Sequence, residues 1–118
     1  MPQEVVAHEF ESVLAKMPRP RGRQLEFLKA HATATARALN MRRIARAANY
    51  VDYRGANLQY GRLAKRIGQA LGRPNADLNL LVEFVPPKGR DRKHISNDEW
   101  ILVMREPFAN ALKRVGWI

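Results

Sequence analysis

The hydrophobic period of this chain changes once, after Asn75. Upstream, apolar side chains recur three and four residues apart, whereas in LNLLVEFV and EWILVMRE they alternate. The first spacing gathers side chains on one stripe of a helix, the second on one face of a strand. A fold that takes helices first and a strand pair second is α+β. The 118 residues suit a single domain, since domains commonly hold about 100–150.

Val6, Phe10, Val13, Leu14 and Met17 predict an amphipathic helix within residues 1–17, stopped by Pro18 and Pro20. After the turn PRPRGR, a second helix is expected from Gly22 to Ala32 with Leu25, Phe27 and Leu28 inward. ATATARALN has no helical stripe and reads as a loop with a short extended piece near Arg37 to Leu39. Asn40 can cap the next helix, whose Met41, Ile44, Ala45 and Ala48 face the core while Arg42, Arg43 and Arg46 face out. Asp52 can cap a longer helix that runs to Leu71 and ends at Gly72 and Pro74. Two helices over 40–72 with a tight link have the outline of a helix-turn-helix.

Leu78, Leu80, Val82 and Phe84, then Trp100, Leu102 and Met104, predict a two-stranded hairpin over 77–106 around the polar loop PPKGRDRKHISND. A hairpin in that position is a wing. Pro107 opens a last helix over 107–116, with Phe108, Ala111, Leu112 and Val115 on one face. The expectation is therefore a mostly helical winged helix-turn-helix with a two-stranded β-hairpin wing and a C-terminal helix.

Charge indicates the partner. Lys and Arg number 21 against 11 Asp and Glu, a net +10, and a positive field of that size draws polyanions, nucleic acid first. Between residues 37 and 73 every charged side chain except Asp52 is basic. Set at the 100° helical step, Ala56, Tyr60, Leu63, Ala64, Ile67, Ala70 and Leu71 share one sector of the longer helix, and Arg54, Leu58, Arg62, Lys65 and Gln69 the opposite one. Arg66 and Asn57 lie toward the borders. Arg and Lys can donate to guanine, Gln can pair with adenine, and an apolar side chain can rest on a thymine methyl. The same face reads equally as a solvated, charged surface, and Gly61 and Gly68 as points of close helix packing.

In a helix-turn-helix, Arg42, Arg43 and Arg46 would cross the phosphate backbone. Lys88, Arg90, Arg92 and Lys93, with His94, would let the hairpin loop follow the backbone or a minor groove. Arg19, Arg21 and Arg23 in PRPRGR form either another phosphate clamp or a merely polar turn. The expected partner is double-stranded DNA. RNA remains an alternative, because phosphate contacts do not separate the two polymers. So does a protein-interaction module or an inhibitor of a nucleic-acid-processing complex. The acidic N-terminal helix could pair two copies into a homodimer or simply cap the core.

Chemistry other than binding finds little support. With no cysteine, and with His8, His31 and His94 scattered, no metal or other cofactor is expected. Glu83 with Lys88, and His94 with Asp98 and Glu99, lack the paired spacing of a catalytic site, and Glu83 is expected to pair across the hairpin with Arg105. The chain is read as a non-enzyme. No apolar run approaches the roughly 20 residues of a membrane span, and MPQEVVAHEFE is too acidic for a signal peptide. A cytoplasmic protein, nucleoid-associated when bound, is the expectation.

MRRIARAANYVDYRGANLQYGRLAKRIGQALGRP, followed by the strand pair and WILVMREPFANALKRVGWI, resembles a small domain found ahead of HNH nuclease domains in predicted bacterial restriction endonucleases. The matching residues are Ala45, Ala48, Tyr50, the Asn57-Leu58-Gln59-Tyr60-Gly61 block, Leu63, Trp100, Met104, Leu112, Gly116 and Trp117. The likeness covers residues 24–118. It implies an accessory domain that helps a nuclease engage DNA in restriction or defence. With no HNH segment after Ile118, nuclease activity is not implied for this chain, and the expectation is left open among a protein acting alone, a cut-out domain and one acting beside a separate nuclease or other protein partner. Asn49 stands where the resemblance leads one to expect a glycine before Tyr50.

Overall fold

The computed structural model describes residues 5–118, so the first four positions of the predicted N-terminal helix lie outside them. Along the described chain run α1 (Ala7–Leu14), α2 (Arg23–Thr33), β1 (Ala38–Asn40), α3 (Met41–Ala47), α4 (Tyr53–Ala70), β2 (Val82–Val85), β3 (Ile101–Met104) and α5 (Glu106–Arg114). The architecture is α+β: among the described residues, five α-helices and a small antiparallel sheet in the order β1-β3-β2.

The sheet corrects the two-stranded expectation. The short extended piece in ATATARALN is a third strand, with Ala38 opposite Val103 and Asn40 opposite Ile101. Alternation could not show it, because three half-buried residues carry too little pattern. A second correction concerns Leu78 and Leu80, which belong to a 3-10 turn rather than a strand. Asp77 is the reason: its carboxylate accepts from the Asn79 amide at 3.0 Å and bends the chain before the ladder begins. Pairing starts at Val82 opposite Met104 and sets Phe84, at the sheet's edge and 38% exposed, against Leu102. The register also stands Glu83 opposite Val103, while Arg105 Nε donates to the Asn79 carbonyl.

The helices form where capping and periodicity direct them. Asn40 Oδ1 accepts from the Arg43 amide at 2.9 Å and Asp52 Oδ1 from the Arg54 amide at 2.8 Å. Such caps contribute about 1 kcal/mol each. Between them, the Tyr50 amide bonds the Ala45 carbonyl and the Asn49 amide the Arg46 carbonyl, with Asn49 at φ 60°. This is a Schellman stop, in which the residue past the helix end takes the left-handed conformation that Gly, and next Asn, tolerates. Asn49 therefore fills the turn where glycine was expected.

Phe10, Leu14, Phe27, Leu28, Met41, Ile44, Tyr60, Leu63, Ile67, Leu102, Met104, Phe108 and Leu112 make one continuous core. Phe27 is fully buried and Leu25 only half so, since α2 turns its 27-28-31 stripe inward. Phe10 and Phe108, with ring centroids 5.3 Å apart, join α1 to α5, and Trp117 folds back under the C-terminus. On α4 the inward sector holds Gly68 in place of Ala70, which is exposed. A Cβ on Gly68 would collide with the Ala76 side chain and stand 2.8 Å from the Arg73 carbonyl, so the chain leaving α4 packs onto this glycine. Gly61 meets nothing within 4 Å; of the two, only Gly68 is a packing site.

A polar pair sits inside the apolar core. His31, fully buried, lies 2.8 Å by Nε2 from the Leu102 carbonyl and 2.8 Å by Nδ1 from the Tyr60 hydroxyl. A carbonyl only accepts, so Nε2 carries the proton and Tyr60 donates to Nδ1. Burial lowers the His31 pKa from 6.5 to about 4 and raises that of the Tyr60 phenol. The pair ties α2, α4 and β3 together.

Candidate nucleic-acid interface

The outward face of α4 carries Arg54, Asn57, Leu58, Arg62, Lys65, Arg66 and Gln69, all exposed. Leu58 is 51% exposed. On one flank of this face the start of α2 comes alongside. Arg66 donates by Nη2 to Gln24 Oε1 at 3.4 Å, and Gln24 donates by Nε2 to Gln59 Oε1 at 3.3 Å. Between the two elements runs an open groove of about 750 Å³ lined by Arg21, Arg23, Gln24, Tyr50, Gln59, Arg62, Lys65, Arg66 and Gln69. Among the described residues, five cations and no carboxylate line it.

Compensation separates these cations from the others predicted to bind. Arg42 Nε and Nη2 both donate to Asp98 Oδ2, at 3.1 and 2.5 Å, and Asp98 is buried. Arg54 lies 3.5 Å from the Asp52 carboxylate and over the Tyr53 ring. Arg90 reaches Glu99 at 2.7 Å and the His94 carbonyl at 3.1 Å. Bonds from Ser96, together with Arg90, hold the Glu99 carboxyl below its usual range. Among the described residues, by contrast, no carboxylate stands within ion-pair distance of Arg21, Arg23, Arg62, Lys65 or Arg66. Their charge is directed to solvent or to a ligand.

The other candidates do not line the groove. Arg43 and Arg46 project from α3 into solvent. Lys88, Arg92 and Lys93 are exposed in the loop between β2 and β3, where Asp91 caps a 3-10 turn by accepting from the Lys93 amide. Asp98, paired in sequence with His94 as a thin catalytic candidate, instead anchors this loop to α3 through Arg42. The structure thus unites Arg62, Lys65, Arg66 and Gln69 with the PRPRGR turn, and it binds Arg42 and the loop to each other.

Tyr50, Gln24 and Gln59 were missing from the residues sequence assigned to a site. Tyr50 is half-buried beside Phe27, at 6.5 Å between centroids, and carries the Arg23 guanidinium over its ring at 5.3 Å. Burial raises its phenol pKa while Arg23 pulls the other way. The ring also presses on α4: a Cβ on Gly55 would stand 2.9 Å from Tyr50 Cδ1. Gly55 thus leaves room for the Tyr50 ring against α4. Among the described residues no group of acidic or histidine side chains could hold a metal ion, and no helix is long and apolar enough to cross a membrane. Comparison of the chain with protein-family models, with curated proteins and with solved structures found no match in any of the three.

Proposed function

We propose that the protein is a non-catalytic binder of double-stranded DNA that sets the exposed face of α4 in the major groove. One observation carries the reading: Arg62, Lys65 and Arg66 project together without a carboxylate partner among the described residues, beside an exposed leucine. A face meant only for solubility gains nothing from leaving like charges uncompensated, whereas a phosphate ligand supplies the missing charge. Arg62 and Gln69 are of the types that read base edges, and Arg43 and Arg46 on α3 would lie on the backbone.

The finer fold, a winged helix-turn-helix, belongs to this proposal. It is supported by the order α2, β1, α3, α4, β2, loop, β3 and by the pairing of β1 with β3, which fixes the helix pair to the base of the hairpin. The loop holding Lys88, Arg92 and Lys93 would then be the wing. The resemblance to a restriction-endonuclease accessory domain supports a role in restriction or defence beside a separate nuclease, with transcriptional control as the other use of such a module.

Gel shifts with duplex DNA, single strands and structured RNA across a salt series test the reading. Duplex binding with a sequence bias that weakens in Arg62→Ala is expected, with Arg43→Ala and Arg46→Ala lowering affinity for every sequence alike. Equal or tighter binding of RNA, or metal-dependent cleavage of DNA by the pure protein, would refute it.

A further inference from the structure

We infer that the groove between the PRPRGR turn and α4 is a track for one phosphate strand of the bound duplex, with Arg21, Arg23 and Arg66 as its clamp. This inference rests on the DNA-binding reading above and names residues and a ligand chemistry beyond it. An α-helix with its side chains is about 10–12 Å across and the major groove about 12 Å wide. A helix seated there brings its flanks against the two phosphate walls. One flank of α4 bears Gln59, Arg62, Arg66 and Gln69, and the neighbour that faces it across the open groove is the start of α2, with Arg21 and Arg23. A strand of phosphates along that flank runs between two rows of cations that have no carboxylate partner among the described residues.

The groove suits backbone rather than bases. Tyr50, the one aromatic ring among the described residues that line it, is already engaged by Phe27, by the Arg23 guanidinium and by close contact with Gly55. A sequence-tolerant single-strand site needs free aromatic faces on which bases stack, and this ring offers none. Two of its three glutamines are likewise engaged: Gln24 bonds both Gln59 and Arg66, which ties the guanidinium of Arg66 to the groove's edge. What remains available is positive charge and guanidinium N–H, the chemistry that grips phosphate oxygens.

The double variant Arg21→Ala/Arg23→Ala tests the track by fluorescence anisotropy on a labelled duplex over a salt series, beside the unaltered chain and Lys113→Ala as a control that removes an exposed cation from α5. Each neutralised phosphate contributes about 0.9 to the slope of log K against log salt. Two lost contacts should flatten the slope by about 2 and lower affinity on the order of 60-fold at ~0.1 M salt, for specific and unrelated duplexes alike. Lys113→Ala should leave both unchanged, and circular dichroism should show all three chains equally folded. If the unaltered chain binds duplex and the double variant keeps its slope, the track is wrong and the DNA reading stands. If the unaltered chain does not bind duplex, both fail. Preference for single strands that depends on Arg21 and Arg23 would overturn the choice of occupant.

Discussion

Acid should weaken this fold through His31, by an amount that follows from its burial. The imidazole is held neutral between the Leu102 carbonyl and the Tyr60 hydroxyl, with its pKa lowered from 6.5 to about 4 chiefly by desolvation. In the unfolded chain the same group takes up a proton near its ordinary value. Between those two values the unfolded state binds more protons, so stability is full above pH 6.5 and falls as pH drops toward 4. At roughly 1.4 kcal/mol per pH unit, the gap is about 3 kcal/mol. Stability of a domain this size is about 5–15 kcal/mol, so the loss is a large share. Urea titrations of the unaltered chain and of His31→Gln at several pH values isolate the term. The carboxylates, Glu99 included, contribute to both chains and cancel in the difference. The unaltered chain should lose about 3 kcal/mol more than the variant over that interval. Parallel stability curves for the two would refute the buried neutral histidine.

Three further outcomes follow from the packing. Tyr60→Phe removes the donor to His31 Nδ1 without opening a cavity, and should cost about 1–3 kcal/mol by urea unfolding. Gly68→Ala should destabilise by about 1–3 kcal/mol because the new Cβ meets Ala76 and the Arg73 carbonyl, whereas Gly61→Ala, into open space on the same helix, should stabilise by about 1 kcal/mol; thermal melts of the two variants check both signs. Asp98→Asn releases Arg42 from its ion pair, and should make the loop between β2 and β3 more susceptible to limited proteolysis while raising duplex affinity; unchanged proteolysis would mean that the pair does not anchor the loop.

The helices were legible because their signals are local. Asn40 and Asp52 cap the helices they were expected to cap, and Met41, Ile44, Ala45 and Ala48 face the core as their spacing requires. The errors arose where a non-local or competing interaction decided. Alternation of Leu78, Leu80, Val82 and Phe84 mimics a strand, but the Asp77 side chain bends the first half of it. Ala38–Asn40 becomes a strand only because β3, far along the sequence, offers an edge to pair with. Gly68 is inward because the chain after α4 returns onto it, and no helical wheel contains that return. His31 looked like an isolated polar residue, since its partners Tyr60 and Leu102 are distant in sequence.

The basic side chains of the candidate site were legible in the sequence but their compensation was not, because sequence counts charges without pairing them. Arg42, Arg54 and Arg90 are as basic in the sequence as Arg62, Lys65 and Arg66, yet the fold gives each of the first three a carboxylate and the latter three none among the described residues. A cation already paired must exchange one anion for another when phosphate arrives, so its net contribution to binding is small. An uncompensated one gains the full interaction and relieves repulsion from its neighbours. Arg21 and Arg23, which a polar turn explains equally well in the sequence, fall into the second group. Where the acidic residues sit thus ranks these arginines by compensation, and it sets the cations along the groove between α2 and α4 apart from Arg42, Arg54 and Arg90.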